Sequence, residues 1–94
     1  MENQHRKIAG YRELSQEEID LMNRIKAFGP QLQELCEDLE NYLQKQQHTA
    51  WVSDLDEETR LHHSEPLKWL DLGKADLQTG LMKLTRSVAQ PSFF

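Results

Sequence analysis

Two residues in the N-terminal third of the chain could bind a nucleotide. Tyr11 can stack on a nucleobase, and Lys26 can contact a phosphate as a point charge. Arg12 follows the tyrosine directly. Asn23 precedes Lys26 by three residues, so these two side chains lie on one face of a helix. The same residues are also typical of a partly exposed aromatic ring and a solvated helix lysine. The residue types therefore allow a small anionic ligand and leave the purely structural alternative open.

Other kinds of site find little support in the sequence. His62 and His63 are adjacent, so on a helix they point about 100° apart, and no HxxxH or HExxH spacing occurs. Cys36 is the one cysteine, which excludes an internal disulfide and a CxxC pair. Neither a GxSxG motif nor a phosphate-binding loop is present. We therefore expect no catalytic residue, no metal site and no cofactor.

The charge of the chain is unevenly distributed. Its 94 residues carry 16 acidic and 11 basic side chains, a net charge of -5. Residues 1–12 and residues 72–94 each hold three bases and one acid, whereas residues 13–71 hold fourteen acids and five bases. An acidic chain is a poor partner for polymeric nucleic acid, but its two basic ends could meet around a small anion. Apolar runs are too short for a membrane span or a signal peptide, so we expect an intracellular protein without a membrane partner.

The hydrophobic pattern predicts an all-α chain that forms a single domain over residues 1–94. Ser15 and Glu18 match a capping box at the start of the first long helix, and Gly29-Pro30 should kink this helix or divide it into two abutting helices. Pro66 suits the first turn of the second long helix. The predicted elements are an N-terminal arm (1–14), a helix kinked near 26–30 (16–46), a connector (47–65), a second long helix (66–90) and a C-terminal tail (91–94).

One apolar stripe on each long helix predicts an antiparallel hairpin. The first stripe contains Ile19, Met22, Ile25, Phe28, Leu32, Leu35, Leu39 and Leu43, and the second contains Trp69, Leu70, Gly73, Leu77, Leu81, Leu84 and Val88. Gly73 and Gly80 should pack closely against another helix to offset their cost in helix stability. A lone hairpin buries too little apolar surface to offset its conformational entropy, so we predict an obligate homo-oligomer. An oligomeric module that recruits a protein and binds no small ligand is the alternative function.

Two blocks of the sequence resemble a known family. The first is Tyr11-Arg12-Glu13-Leu14, followed by Glu18, the run from Leu21 to Lys26, and Gly29. The second runs from Trp69-Leu70 through Gly73–Met82 to Leu84–Pro91, and its Leu-Gln-Thr-Gly and Arg-x-Val-Ala-x-Pro segments are its most specific parts. Both blocks resemble the phage anti-CBASS cyclic-oligonucleotide sponges, in the same order. The resemblance covers most of residues 11–29 and 66–94, whereas residues 44–65 match poorly.

The resemblance implies a function that the residue types alone do not. It implies a phage protein in the host bacterial cytoplasm, a hexamer of helical hairpins that binds cyclic oligonucleotide signals without cleaving them and so blocks CBASS effectors. Cyclic dinucleotides of the cyclic GMP-AMP type would lie between subunits, with Tyr11 stacked on a base and Lys26 on phosphate. Cyclic trinucleotides, the second possible ligand, would lie among three subunits near Gly29 and Lys68. The further lining residues implied by the resemblance are Arg12, Asn23, Ser87 and Phe93.

This chain departs from the family pattern near the trinucleotide site. Family members often have arginine where this chain has Lys68, and smaller or polar residues where it has Phe28 and Pro30. Lysine keeps the positive charge but lacks the bidentate geometry of a guanidinium group. The departures therefore affect the trinucleotide prediction more than the dinucleotide prediction.

Overall fold

Three α-helices make up most of the part of the chain that the structure, a computed structural model, describes. This part is residues 13–92, and the helices are α1 (Gln16–Ser53), α2 (Leu55–Ser64) and α3 (Pro66–Ala89). Residues 13–92 contain no β-strand, which confirms the all-α class. None of the helices in this range is both long and apolar enough to cross a membrane.

The start of α1 is the predicted capping box. The hydroxyl of Ser15 accepts a hydrogen bond from the backbone N–H of Glu18 at 3.2 Å, and the N–H of Ser15 donates to the Glu18 carboxylate at 2.8 Å. Two backbone groups that would otherwise lack partners at the helix start are satisfied in this way. The helix therefore begins at Gln16, as predicted.

α1 continues through Gly29 and Pro30 as one helix, so the alternative of two abutting helices was wrong. Because Pro30 has no N–H, the carbonyl of Lys26 lacks the donor that an α-helix normally supplies. The helix also ends at Ser53 rather than at residue 46, so the prediction that the connector starts at residue 47 was wrong. Ala50, which is only 2% exposed, explains the extension, since its burial stabilises the last turns of the helix.

Most of the predicted connector is helical because it also contains α2. The carboxylate of Asp54 accepts a hydrogen bond from the N–H of Glu57 at 3.1 Å and caps the helix. Leu61 is 4% exposed and anchors the helix by burial. The helix stops at Glu65, which has a left-handed φ of 49° and donates its N–H to the Leu61 carbonyl. Pro66 then starts α3, as predicted.

A solvent-exposed ion pair lies on α2. Arg60 donates from Nε to the carboxylate of Glu57 at 2.9 Å and from a second nitrogen to the other carboxylate oxygen. The hydrogen bonds from Arg60 lower the pKa of Glu57 below its ordinary value, and the carboxylate raises the pKa of Arg60. Such exposed pairs add little to stability, so burial of Leu61 matters more for α2.

The end of α3 is set by its backbone. Gln90 has a left-handed φ of 51°, donates its N–H to the Arg86 carbonyl at 2.8 Å and precedes Pro91. Proline cannot continue the helix, so α3 ends at Ala89, one residue before the predicted end.

The described residues divide into two compact units. Unit 1 contains residues 13–29 and 78–92, so the first turns of α1 and the last turns of α3 pack together in the antiparallel sense expected of a hairpin. Unit 2 contains Pro30–Leu77, that is, the rest of α1, all of α2 and the first half of α3.

Burial is sparse in both units. Cys36, Ala50 and Leu61 are the buried apolar residues among residues 13–92, and all three lie in unit 2. The apolar residues of unit 1 are at most half-buried, as at Met22 and Leu81. Such a small core explains little of the stability that a folded chain needs.

The predicted stripe of α1 was wrong at several positions. Phe28 and Leu35 are 55% and 51% exposed, and burial follows Gly29, Leu32 and Cys36 instead. Each three-residue step turns a helix by only about 300°, so repeated steps of three drift off one face, whereas alternating steps of three and four stay on it. On α3, the stripe residues Trp69, Leu77 and Leu84 are likewise exposed.

The predicted close packing of two α3 glycines does not occur within the described chain. A Cβ atom added at Gly73 or at Gly80 would meet no atom within 4 Å among the described residues. The helix-stability cost of these glycines therefore has no compensation within residues 13–92.

Candidate ligand-binding groove

An open groove lies in unit 1 between α1 and α3. It has a volume of about 600 Å³, within the usual range of about 300–1,000 Å³ for small-molecule sites. We call it the α1–α3 groove. Its described lining residues are Met22, Ile25, Lys26 and Gly29 of α1, Leu81, Met82, Thr85, Arg86 and Ala89 of α3, and Pro91.

The α1–α3 groove combines an apolar lining with two cations. Aliphatic and thioether side chains form most of the lining, and Lys26 and Arg86, one from each helix, supply positive charge. Thr85 is the hydroxyl residue among the described lining residues, and it donates its proton to the Leu81 carbonyl at 2.9 Å. The cations are therefore the strong hydrogen-bond donors of this lining, and they suit an anion with apolar faces.

Gly29 leaves open space beside the lysine. Apart from its neighbours along the helix, a Cβ atom at Gly29 would meet no described atom within 4 Å, although the residue is half-buried and lines the groove. Gly29 and Lys26 are three residues apart and so share one face of α1. One turn of α1 therefore provides both a charge and room for a ligand.

The structure brings together two of the predicted site residues, Lys26 and Gly29, both in the α1–α3 groove. Asn23 lies on α1 and Ser87 on α3, but neither lines the groove, and the Ser87 hydroxyl donates to the Leu84 carbonyl at 2.6 Å. Three other predicted site residues, Tyr11, Arg12 and Phe93, lie outside the described residues.

Lys68 belongs to unit 2 and has two local partners. Its ammonium nitrogen donates to the carboxylate of Glu65 at 3.2 Å and lies 5.3 Å from the centre of the Trp69 ring. Both contacts are exposed to solvent and therefore weak, so Lys68 keeps its charge available to a ligand at modest cost.

Arg86 lines the groove but was not among the predicted site residues. In the sequence it is one of the three bases of residues 72–94 and the first residue of the Arg-x-Val-Ala-x-Pro segment. The signal that points to it is its helical spacing, since Met82 precedes it by four residues and Ala89 follows it by three. Which face of α3 meets α1 had to be known before this spacing could be used.

Unit 2 contains a more polar groove of about 430 Å³. Its described lining residues are Gln44, Gln47, His48, Trp51, Glu58, Leu61 and His62. Its carboxylate, Glu58, would repel a phosphate, whereas the two amides and two imidazoles could donate hydrogen bonds to one. Within residues 13–92, no three His, Cys, Asp or Glu side chains are placed to hold a metal ion.

Comparison with known proteins confirms the family resemblance found in the sequence. The family described as "Acb2/Tad1, hairpin domain" matches residues 4–89. The curated protein Anti-CBASS protein 2 of Pseudomonas phage JBD67 is 46% identical over 105 residues, and the match covers 97% of each chain. The region that the family model matches contains all three helices and every described lining residue of the α1–α3 groove except Pro91. The chain therefore belongs to the Acb2/Tad1 hairpin-domain family.

Proposed function

We propose that this protein binds cyclic oligonucleotide second messengers and holds them intact, so that bacterial CBASS effectors are not activated. The observation that carries the proposal is the α1–α3 groove, in which Lys26 and an apolar lining occur together. The relationship to Anti-CBASS protein 2 supports the same role, because its name describes action against CBASS. The protein would be made by a phage and would act in the host bacterial cytoplasm.

Cyclic dinucleotides of the cyclic GMP-AMP type are the proposed main ligands. Such a ligand carries two negative charges and two flat bases, so it needs a few cations and apolar or aromatic surface rather than a wholly basic face. Lys26 would contact a phosphate, and the aliphatic lining of the groove would contact base or sugar. Tyr11 would stack on a base, and Arg12, Asn23, Ser87 and Phe93 would complete the site.

We also propose that the protein is a homo-oligomer, a hexamer in which subunits share ligand sites. Thirteen large apolar side chains are at least 39% exposed in the single described chain, among them Leu21, Phe28, Leu35 and Tyr42 of α1. Each of these four residues follows the one before it by seven positions, a spacing typical of helices that pack on other helices. Copies of the same chain would cover these side chains, because leaving large apolar surface in contact with water is unfavourable in free energy.

Cyclic trinucleotides are a second proposed ligand class, bound near Gly29 and Lys68. Lys68 cannot give a phosphate the two parallel hydrogen bonds of a guanidinium group, and its exposed ion pair with Glu65 is too weak to add much to that loss. Phe28, 55% exposed beside Gly29, adds bulk. We therefore expect trinucleotide binding to be weaker than dinucleotide binding.

Two substitutions test the dinucleotide site. Lys26→Ala and Tyr11→Ala should each abolish binding of cyclic GMP-AMP in titration calorimetry while leaving the oligomer mass unchanged. Lys45→Ala is the matched control, because it removes the same charge from another exposed position of α1 and should bind as the unsubstituted protein does. Unchanged affinity in both Lys26→Ala and Tyr11→Ala would refute the site.

A release experiment separates sequestration from the other functions. The protein is incubated with cyclic GMP-AMP, and the free and heat-released nucleotides are separated by chromatography. Intact ligand that appears only after denaturation supports sequestration. Free ligand throughout would favour the protein-recruiting module, and a linear or cleaved product would identify an enzyme; either result would overturn the proposal.

A further inference from the structure

We propose that Arg86 is the second phosphate-binding residue of the α1–α3 groove and acts together with Lys26. The inference rests on the proposed function, since it concerns how the groove holds a ligand with two phosphates. Arg86 lines the same groove as Lys26 but comes from the other helix. Among the described lining residues, these two are the cations.

Two cations that line one groove can bind a phosphate together. A phosphate has several oxygens that accept hydrogen bonds, so a lysine and an arginine from different helices can contact it at the same time. Lys26 on α1 and Arg86 on α3 place one cation on each wall of the groove. The guanidinium group can donate two parallel hydrogen bonds to one phosphate, a geometry that fixes orientation as well as adding affinity.

The position of Arg86 near the end of α3 gives a second reason. Arg86 is the basic residue in the last turn of this helix, and the groove extends past that turn to Ala89 and Pro91. The carbonyl end of a helix carries roughly half a negative charge, which repels a phosphate. A cation at this place offsets that repulsion, whereas Lys26 lies within α1, away from either end.

Calorimetric titration of cyclic GMP-AMP into three variants tests the inference. Arg86→Gln should weaken binding roughly ten- to hundredfold, the effect of losing a charge-assisted hydrogen bond. The affinity of Arg86→Lys should lie between those of Arg86→Gln and the unsubstituted protein, because lysine keeps the charge but cannot donate two parallel hydrogen bonds. Lys83→Gln, the matched control, removes one charge from α3 outside the groove lining and should leave affinity unchanged.

A double substitution separates direct contact from an effect through Lys26. If both cations contact the ligand directly, Arg86→Gln should weaken binding by a similar factor in the unsubstituted protein and in the Lys26→Arg background, which keeps a cation at position 26. If Arg86 acts only by orienting Lys26, Arg86→Gln should weaken binding no further in the Lys26→Arg background, and the inference would be wrong. Helix content by circular dichroism and oligomer mass are measured for each variant, and Arg86→Lys serves where Arg86→Gln does not fold.

The outcomes also separate this inference from the proposed function. Undiminished binding by Arg86→Gln, together with loss of binding by Lys26→Gln, would overturn the role of Arg86 and leave the proposed function intact. Absence of binding by the unsubstituted protein would overturn both.

Discussion

At the scale of single residues, the proposed ligand site offers an explanation for Gly29. Glycine within a helix costs about 1 kcal/mol relative to alanine, and such a cost is usually offset by close packing. Apart from its neighbours along the helix, no described atom lies within 4 Å of where a Cβ at Gly29 would stand. The residue lines the α1–α3 groove beside Lys26, so we propose that it is retained for the space that it leaves for a ligand.

Gly29→Ala should therefore have opposite effects on stability and binding. The added methyl group should stabilise α1 by up to about 1 kcal/mol, which raises the Tm, and should weaken cyclic GMP-AMP binding by reducing the room beside Lys26. Thermal denaturation and calorimetry measure the two effects. Gly73→Ala, which lies outside the groove lining, is the control for affinity. A variant that is more stable and binds equally well would contradict this explanation of Gly29.

At the scale of elements, local chemistry determined what the sequence could predict. The Ser15–Glu18 box and Pro66 set helix starts through groups adjacent in sequence, so those boundaries were predicted correctly. The last turns of α1 and the whole of α2 were assigned to the connector, although Asp54 could start a short helix, because Ala50 and Leu61 stabilise these segments through burial. Burial depends on partners distant in the sequence, which local propensity does not describe.

The same distinction applies to the site. Lys26 and Gly29 could be named from the family resemblance, and both line the groove. Arg86 could not be assigned from spacing alone, because several faces of α3 carry apolar residues, and exposed Trp69 and Leu84 misled the prediction of its inward face. The face of α3 that packs against α1 is determined by tertiary structure, which the spacing of residues within α3 does not reveal.

Removal of the capping box tests how strongly it stabilises α1. Ser15→Ala should lower the free energy of unfolding by about 1 kcal/mol, because the N–H of Glu18 loses its acceptor at a helix start. Glu18→Gln should lower the free energy of unfolding by less, since an amide oxygen can still accept the hydrogen bond from the N–H of Ser15. Urea denaturation of both variants gives the comparison, and equal stability of Ser15→Ala and the unsubstituted protein would show that the box is dispensable.

At the scale of the whole molecule, the shortage of buried side chains is the main feature. Among residues 13–92, three buried apolar residues contrast with thirteen large apolar residues that are exposed. In a homo-oligomer, association would supply the burial that the single chain lacks, so folding and assembly would be coupled. The single domain over residues 1–94 and the hexamer both stay predictions.

Leu35→Gln should weaken assembly with little effect on the single chain. Leu35 is 51% exposed, so its replacement by a polar residue removes apolar surface mainly from the proposed contact between copies. Analytical ultracentrifugation should show a lower mass than for the unsubstituted protein, and the Tm should fall more steeply on dilution. Glu34→Gln, at the neighbouring exposed position, should keep the full mass. A one-chain mass for the unsubstituted protein, with a Tm independent of concentration, would contradict the oligomer.

Pro30 has a consequence for motion in the groove. Because it supplies no N–H to the Lys26 carbonyl, the turn from Lys26 to Pro30 has one backbone hydrogen bond fewer than the turns on either side of it. Local opening of this turn breaks fewer bonds, so its amide protons exchange with solvent sooner than those of neighbouring turns. A ligand held by Lys26 would slow that exchange, and the backbone of α1 would thus record whether the groove is occupied.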